Sequence, residues 1–217
     1  TAEGLLRGLE FELGGFRWRI PQDPALRVPG PRHCLEEAGL VMARVLWHTA
    51  YALARWILED HTTSLRGARV VELACGLALP AMAAAAAGAS SSLGFDIDAR
   101  AVALARRGAR GSLPPEARFR FMAGRLDIRN QTQVAAIGAA DVVLISGLYD
   151  DALNWSLLAA LRSLCARGCR VFVASSTDSD TLPKAYSFFA AVGSEVPLDV
   201  REGFYCTERS LLHPGAQ

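Results

Sequence analysis

Arg69-Val-Val-Glu-Leu-Ala-Cys-Gly-Leu-Ala-Leu-Pro80 decides the fold. A β-branched apolar run stops at an acid, passes through very small residues and opens an alanine-rich stretch, which reads as strand, tight turn and helix. Parallel α/β folds bind small ligands at such a turn, because the carboxyl end of the strand and the free N–H groups of the helix face one crevice. A glycine or alanine there lets a ligand approach the backbone. Pro80 suits the first turn of the helix, where its missing N–H would be unpaired in any case, and Gly88 suits its end. Ala83 to Ala87 would let that helix lie close to a sheet.

Working outward, Ser92-Leu-Gly-Phe95 reads as a second strand that ends at Asp96-Ile-Asp98, about twenty residues beyond the turn, the distance at which an acid holds a ribose diol. Asp96 is the candidate for that role and Asp98 a cap for a helix over 99–110. Arg118-Phe-Arg-Phe-Met122 reads as a third strand. Asp141-Val-Val-Leu-Ile145 is a continuous apolar run, as expected of a central parallel strand, and Cys169 to Ala174 a fifth. A leucine stripe from Leu153 to Leu164, with Asp151 as its cap, and a stripe from Ala185 to Val192 supply further helices. Two strands near 195–200 and 204–212 would form an antiparallel pair.

On the amino-terminal side, Glu10 to Ile20 alternates apolar and polar residues around Gly14-Gly15, the pattern of a two-residue hairpin. The proline-rich stretch 21–31 reads as an extended connector. Leu46, Ala50, Leu53, Ala54, Ile57 and Leu58 then fall on one helical stripe within 35–60.

Glu72-x-Ala74-x-Gly76-x-Ala78 resembles the acid-x-Gly-x-Gly-x-Gly signature of S-adenosylmethionine-dependent methyltransferases, with the middle glycine retained. The order of hairpin, Ile20-Pro-Gln22, Trp47 opening a helix, and then this loop is similar to the lysine-methyltransferase-like branch of seven-strand methyltransferases. That branch includes the electron-transfer-flavoprotein β-subunit lysine methyltransferase. It usually carries Trp-Pro where this chain has Trp47-His48, and an acid-x-x-aromatic motif where this chain has Ser146-Gly-Leu-Tyr149. The resemblance implies an α/β fold, a Rossmann-like doubly wound seven-stranded sheet with a C-terminal antiparallel strand pair and an N-terminal hairpin and helix extension. It divides the chain into an extension over 1–60 and a methyltransferase-like unit over 61–217.

The resemblance also implies site residues. Trp47, Glu72, Ala74, Gly76, Ala78, Asp96, Asp127 and Ser146 would surround S-adenosylmethionine, with Asp127 equally readable as a loop or capping acid. Tyr149 and Asp150 would stand near the methyl acceptor. The implied activity is methyl transfer to protein lysine side chains. The alternative is a catalytically inactive methyltransferase-fold subunit with a structural role in a larger protein complex, which the two alanines in the loop and the missing acid favour. A nicotinamide-dinucleotide reductase fits the terminal strand pair and the Trp47 segment poorly.

Composition bounds these readings. At 217 residues the chain can bury a sizeable core without metal or disulfide staples. A net charge of +1 gives no global attraction to polyanions, and the local basic clusters Arg106-Arg107 and Arg118/Arg120 read as solvated helix and strand faces, so the sequence carries no direct nucleic-acid signature. Hydrophobic residues make up 51%, enough to suggest that a partner covers some of the surface, yet no window offers the roughly 18 apolar residues of a membrane span. Five cysteines without a C-x-x-C pair point to reduced thiols and an intracellular setting, cytoplasmic or mitochondrial.

Overall fold

The computed structural model describes residues 8–23, 42–59, 62–148, 150–176 and 181–195. The expected connector over 24–31, the helical pattern over 35–41, Tyr149 and the antiparallel pair over 195–212 fall wholly or almost wholly outside them.

The chain opens with β1 (Gly8–Leu13) and β2 (Phe16–Pro21), paired antiparallel with Leu13 opposite Phe16. Gly14 and Gly15 hold φ of 59° and 78°, the two positive angles that a type I′ turn needs and glycine adopts cheaply. Gly14 has a second reason to lack a side chain. A Cβ there would lie 2.5 Å from the Cβ of Leu58, so the turn presses directly on α1 (His48–Glu59). Trp18 is fully buried beneath the hairpin, its indole N–H donating to the Leu13 carbonyl at 3.1 Å.

Helix α1 buries the stripe read from the sequence: Ala50, Leu53, Ala54, Ile57 and Leu58 are all inside, as is Leu46 just before it. Each fully buried Leu or Ile contributes about 1.5–3 kcal/mol, which more than offsets the weak helix propensity of the β-branched and aromatic residues between them. The short α2 (Thr62–Leu65) leads into β3 (Arg69–Leu73), α3 (Leu79–Ala86), β4 (Ser91–Asp96) and α4 (Ala99–Ser112). Asp98 caps α4, accepting from the N–H groups of Arg100 and Ala101. The remainder is α5 (Pro115–Arg118), β5 (Phe121–Arg125), α6 (Gln131–Ile137), β6 (Ala140–Ser146), α7 (Asp151–Leu164), β7 (Cys165–Ala174) and α8 (Leu182–Glu195).

Among the described residues five parallel strands, against the seven strands expected from the resemblance, form one sheet in the order β5-β4-β3-β6-β7. The chain winds outward from β3 in one direction, then crosses back to β6 and winds in the other, which leaves a crevice at the carboxyl ends where the order reverses. Alternate residues feed two cores. Val70, Val142 and Leu144 join the cluster under α1 and α3, while Val71, Leu73, Val143 and Ile145 join the cluster under α7 and α8. Every residue of α3 from Leu79 to Ala85 is buried, and its alanines let it lie between the sheet and α1. No helix among the described residues is long and apolar enough to cross a membrane.

Three sequence expectations are corrected. The third strand begins at Phe121, because Pro114-Pro115 starts a helical turn that takes up Glu116 to Arg118. Asp150, not Asp151, caps α7, accepting from the Leu153 N–H at 2.9 Å. Strand β7 starts at Cys165, with Cys165 opposite Ala140 and Arg170 opposite Val142, so the chain bulges between them.

Candidate functional site

The loop between β3 and α3 keeps the backbone of a glycine-rich turn with only one glycine, Gly76. Ala74, Gly76 and Ala78 have φ of 51°, 51° and 56°, all left-handed, although two of the three carry a methyl group. Left-handed backbone costs an L-residue about 1–2 kcal/mol, so the surrounding contacts must impose it. Those contacts are visible. The Cys75 N–H donates to the Phe95 carbonyl at 2.9 Å, the Ala78 N–H to the Cys75 carbonyl at 2.7 Å, and the Gly76 N–H to Asp96 Oδ2 at 2.8 Å. Ala74 and Gly76 are half-buried at the carboxyl edge, while Ala78 is inside.

Asp96 therefore ties the two strand ends together, its Oδ1 accepting from the Asp98 N–H at 2.9 Å. Burial pushes its carboxyl above the ordinary value, against the pull of these amides. Glu72 lies deeper. It is fully buried, with Oε2 accepting from the Ala81 N–H at 2.9 Å and Oε1 from the Ser146 hydroxyl at 3.2 Å. Desolvation raises its pKa from 4.5 to about 8, so it is largely a neutral acid at pH 7. Its carboxyl is thus turned into the protein, holding the start of α3 and the end of β6 in place.

The segment before α1 forms the facing wall. The Trp47 indole N–H donates to the Met42 carbonyl at 2.8 Å, and the Leu46 N–H donates to Gln22 Oε1 at 3.2 Å, which gives the Ile-x-Gln segment a positioning role. Thr49 donates to the Ser146 carbonyl at 3.3 Å. Arg44, which no sequence pattern singled out, bridges Asp98 at 2.6 Å and Asp23 at 3.9 Å. A Cβ on Gly76 would lie 3.0 Å from the Ala43 carbonyl oxygen, so this segment rests on the one retained glycine.

The structure thus brings together Ala74, Gly76, Ala78 and Asp96 around one strand edge, with Glu72 and Ser146 behind them and Ala43, four residues before Trp47, against Gly76. Asp127 lies beyond the end of β5 in a loop of its own, where Arg129 Nε and Nη2 reach its carboxylate at 2.8 and 2.7 Å and lower its pKa to about 2. Asp150 is exposed at the start of α7. The chemistry of the edge fits a cofactor with a diol and a polar tail: half-buried small residues and a carboxylate whose amide partners leave lone pairs for hydroxyl donors.

No family model matches this sequence, and no curated protein matches it. Solved structures do. A Streptococcus mutans protein assigned as a S-adenosylmethionine-dependent methyltransferase superposes with a TM-score of 0.59 at 14% identity, over 87% of this chain and 46% of its own. Magnesium protoporphyrin IX methyltransferase from Synechocystis PCC 6803, solved with bound S-adenosylmethionine, gives a TM-score of 0.49 at 19% identity over 67% of each chain. This chain spans less than half the length of the Streptococcus protein. The likeness to the Streptococcus protein is one of fold, a Rossmann-like α/β architecture.

Proposed function

We propose that this chain is an S-adenosylmethionine-dependent methyltransferase with the cofactor seated at the carboxyl ends of β3 and β4. The observation that carries this reading is the left-handed backbone kept at Ala74, Gly76 and Ala78 directly beside the Asp96 carboxylate. A strained turn facing a ligand crevice is expected where the ligand requires that backbone. In this reading Ala74 and Gly76 line the methionyl part, Asp96 accepts from the ribose hydroxyls and Trp47 forms a wall. Glu72 and Ser146 position the loop from behind.

Bound there, the cofactor supplies a methyl group on a sulfonium for in-line displacement. What the protein adds is chiefly alignment of donor and acceptor. The proposed acceptor is a protein lysine, a choice supported by the resemblance in the order of elements. Its ammonium must lose a proton before it can attack. In this reading Asp150, exposed four residues after the end of β6 where it caps α7, takes that proton, with Tyr149 as its neighbour in sequence.

A second reading, a catalytically inactive subunit that helps to build a larger protein complex, is favoured by two contacts. The Ala43 carbonyl rests on Gly76, and the Ser146 hydroxyl is turned towards Glu72. Calorimetric titration with S-adenosylmethionine, S-adenosylhomocysteine and a nicotinamide dinucleotide separates the possibilities. Saturable binding of the first two, weakened at least tenfold by Asp96→Asn in a chain with unchanged circular dichroism, is the expected result. A folded chain that binds neither at millimolar concentration is not the enzyme proposed here, and one that binds only the nicotinamide has a different chemistry.

A further inference from the structure

Charge is segregated along this chain. The stretch 99–126 holds seven of the 23 basic residues and one of the 22 acidic ones, leaving 16 basic against 21 acidic residues elsewhere. The near-neutral total conceals that division. The fold gathers the basic stretch onto one flank, formed by α4, α5 and the edge strand β5, where Arg106, Arg107, Arg110, Arg118, Arg120 and Arg125 are all exposed.

Ordinary solvated arginines tend to find a carboxylate, as Arg100 finds Asp23 and Arg129 finds Asp127. Among the described residues none of the six flank arginines forms a close ion pair, and only Arg125 feels a carboxylate, that of Asp127, which Arg129 already holds. Three are fixed instead by main-chain carbonyls: Arg106 Nε donates to Ala123 at 2.8 Å, Arg118 Nη2 to Leu113 at 2.9 Å and Arg125 Nε to Ile97 at 3.1 Å. A neutral carbonyl holds the guanidinium plane without cancelling its charge, and other N–H donors of the fork stay available.

The same flank carries apolar surface. Arg106, Arg110 and Arg118 line a cavity of about 210 Å³ together with Phe121 and Met122. Met122 is 54% exposed, and Phe119, between Arg118 and Arg120, is 91% exposed. The face extends to the carboxyl end of β5, where Arg125 stands opposite Asp96.

From fixed, un-neutralised guanidiniums interleaved with an exposed aromatic ring, we infer that this flank binds single-stranded nucleic acid. Phosphates meet the arginines, and bases stack on Phe119 and over the apolar lining of the cavity. An acidic peptide satisfies the charge and leaves the ring idle, while a duplex keeps its base faces in its own stack. The binding requires nothing of the cofactor crevice.

The test is fluorescence anisotropy of the full chain with a labelled oligouridine of about 20 nucleotides, in a salt series. Binding should weaken with a log–log slope of about −2 to −4, since each phosphate neutralised on a single strand contributes about −0.7. Arg110→Glu combined with Arg118→Glu should weaken binding at least tenfold, with the thermal midpoint as a folding control. Phe119→Ala, at a fully exposed position, should weaken it about fivefold or more, the loss expected of one stacked base. No binding at low salt overturns the inference. So does an equal affinity for polyglutamate or duplex RNA, or a Phe119→Ala variant that binds as the parent does.

Discussion

The Ser146 hydroxyl donates to Glu72 Oε1 at 3.2 Å, joining the carboxyl ends of two neighbouring parallel strands inside the protein. Ser146, which stands where the sequence resemblance leads one to expect an acid, thus serves a buried carboxyl, and that carboxyl in turn holds the Ala81 N–H at the start of α3.

Stability should therefore fall with rising pH. Burial raises the Glu72 pKa from 4.5 to about 8, so between those values the folded chain keeps a proton that the unfolded chain has lost. Stabilisation from this group is complete below about pH 4.5 and is lost towards pH 8, a difference on the order of several kcal/mol. Asp96, pushed the same way by burial, adds to the trend. Thermal midpoints measured from pH 5 to 8.5 should decline in the parent and decline less in Glu72→Gln. A parent profile flat over that range contradicts the assignment.

Ala74 is the position at which to relax the loop. Ala74→Gly removes a left-handed penalty of about 1–2 kcal/mol while adding about 0.5–1 kcal/mol of unfolded-state entropy, so stability should stay level or rise slightly. Ala74→Val, with a branched side chain at φ 51°, should lower stability by more than 1 kcal/mol. Chemical denaturation of the two variants checks the order, which reverses if the loop does not need its left-handed backbone.

Gly94 in β4 lies under the same loop. A Cβ there would stand 3.1 Å from the Ala78 Cβ and 3.2 Å from the Cys75 Sγ. Gly94→Ala should cost about 1–3 kcal/mol by overpacking and lower affinity for S-adenosylmethionine together with it. Retained affinity in a destabilised variant would separate the loop from the cofactor site.

Asp127 gives the contrasting case. Its carboxylate is occupied by Arg129 at an exposed position. Asp127→Asn should leave the thermal midpoint and the cofactor titration unchanged, because exposed ion pairs contribute little. A marked loss of affinity in the titration would restore the cofactor contact expected from the sequence.

Much of the fold was legible because periodicity and turn chemistry agreed: the Gly14-Gly15 hairpin, the α1 stripe, the apolar β6 and the Asp98 cap all lie where the residues place them. The third strand was misplaced for a physical reason. Arg118-Phe-Arg-Phe alternates like a half-buried strand, yet Phe119 points to solvent and the alternation belongs to a helical turn. Helix α6 went unread because Gln131–Ile137 is short and polar and is marked mainly by its Asn130 cap. In the site, spacing located Glu72 and Asp96 on adjacent strand ends, but whether a carboxyl faces the crevice or the core depends on what packs above it. Arg44 was invisible for the same reason: its carboxylate partners come together only when the hairpin and the β4 loop are folded.

The enclosure of α3 bears on how the chain is made. Its alanines are covered on one side by the sheet and on the other by α1, which leaves the ribosome earlier and has only the hairpin to pack against until α3 follows. A chain truncated ahead of Thr62 would therefore lack the cover for its central helix. The hairpin and α1, which look like an appendage on the sequence, would be needed for the remainder to be recovered in soluble form.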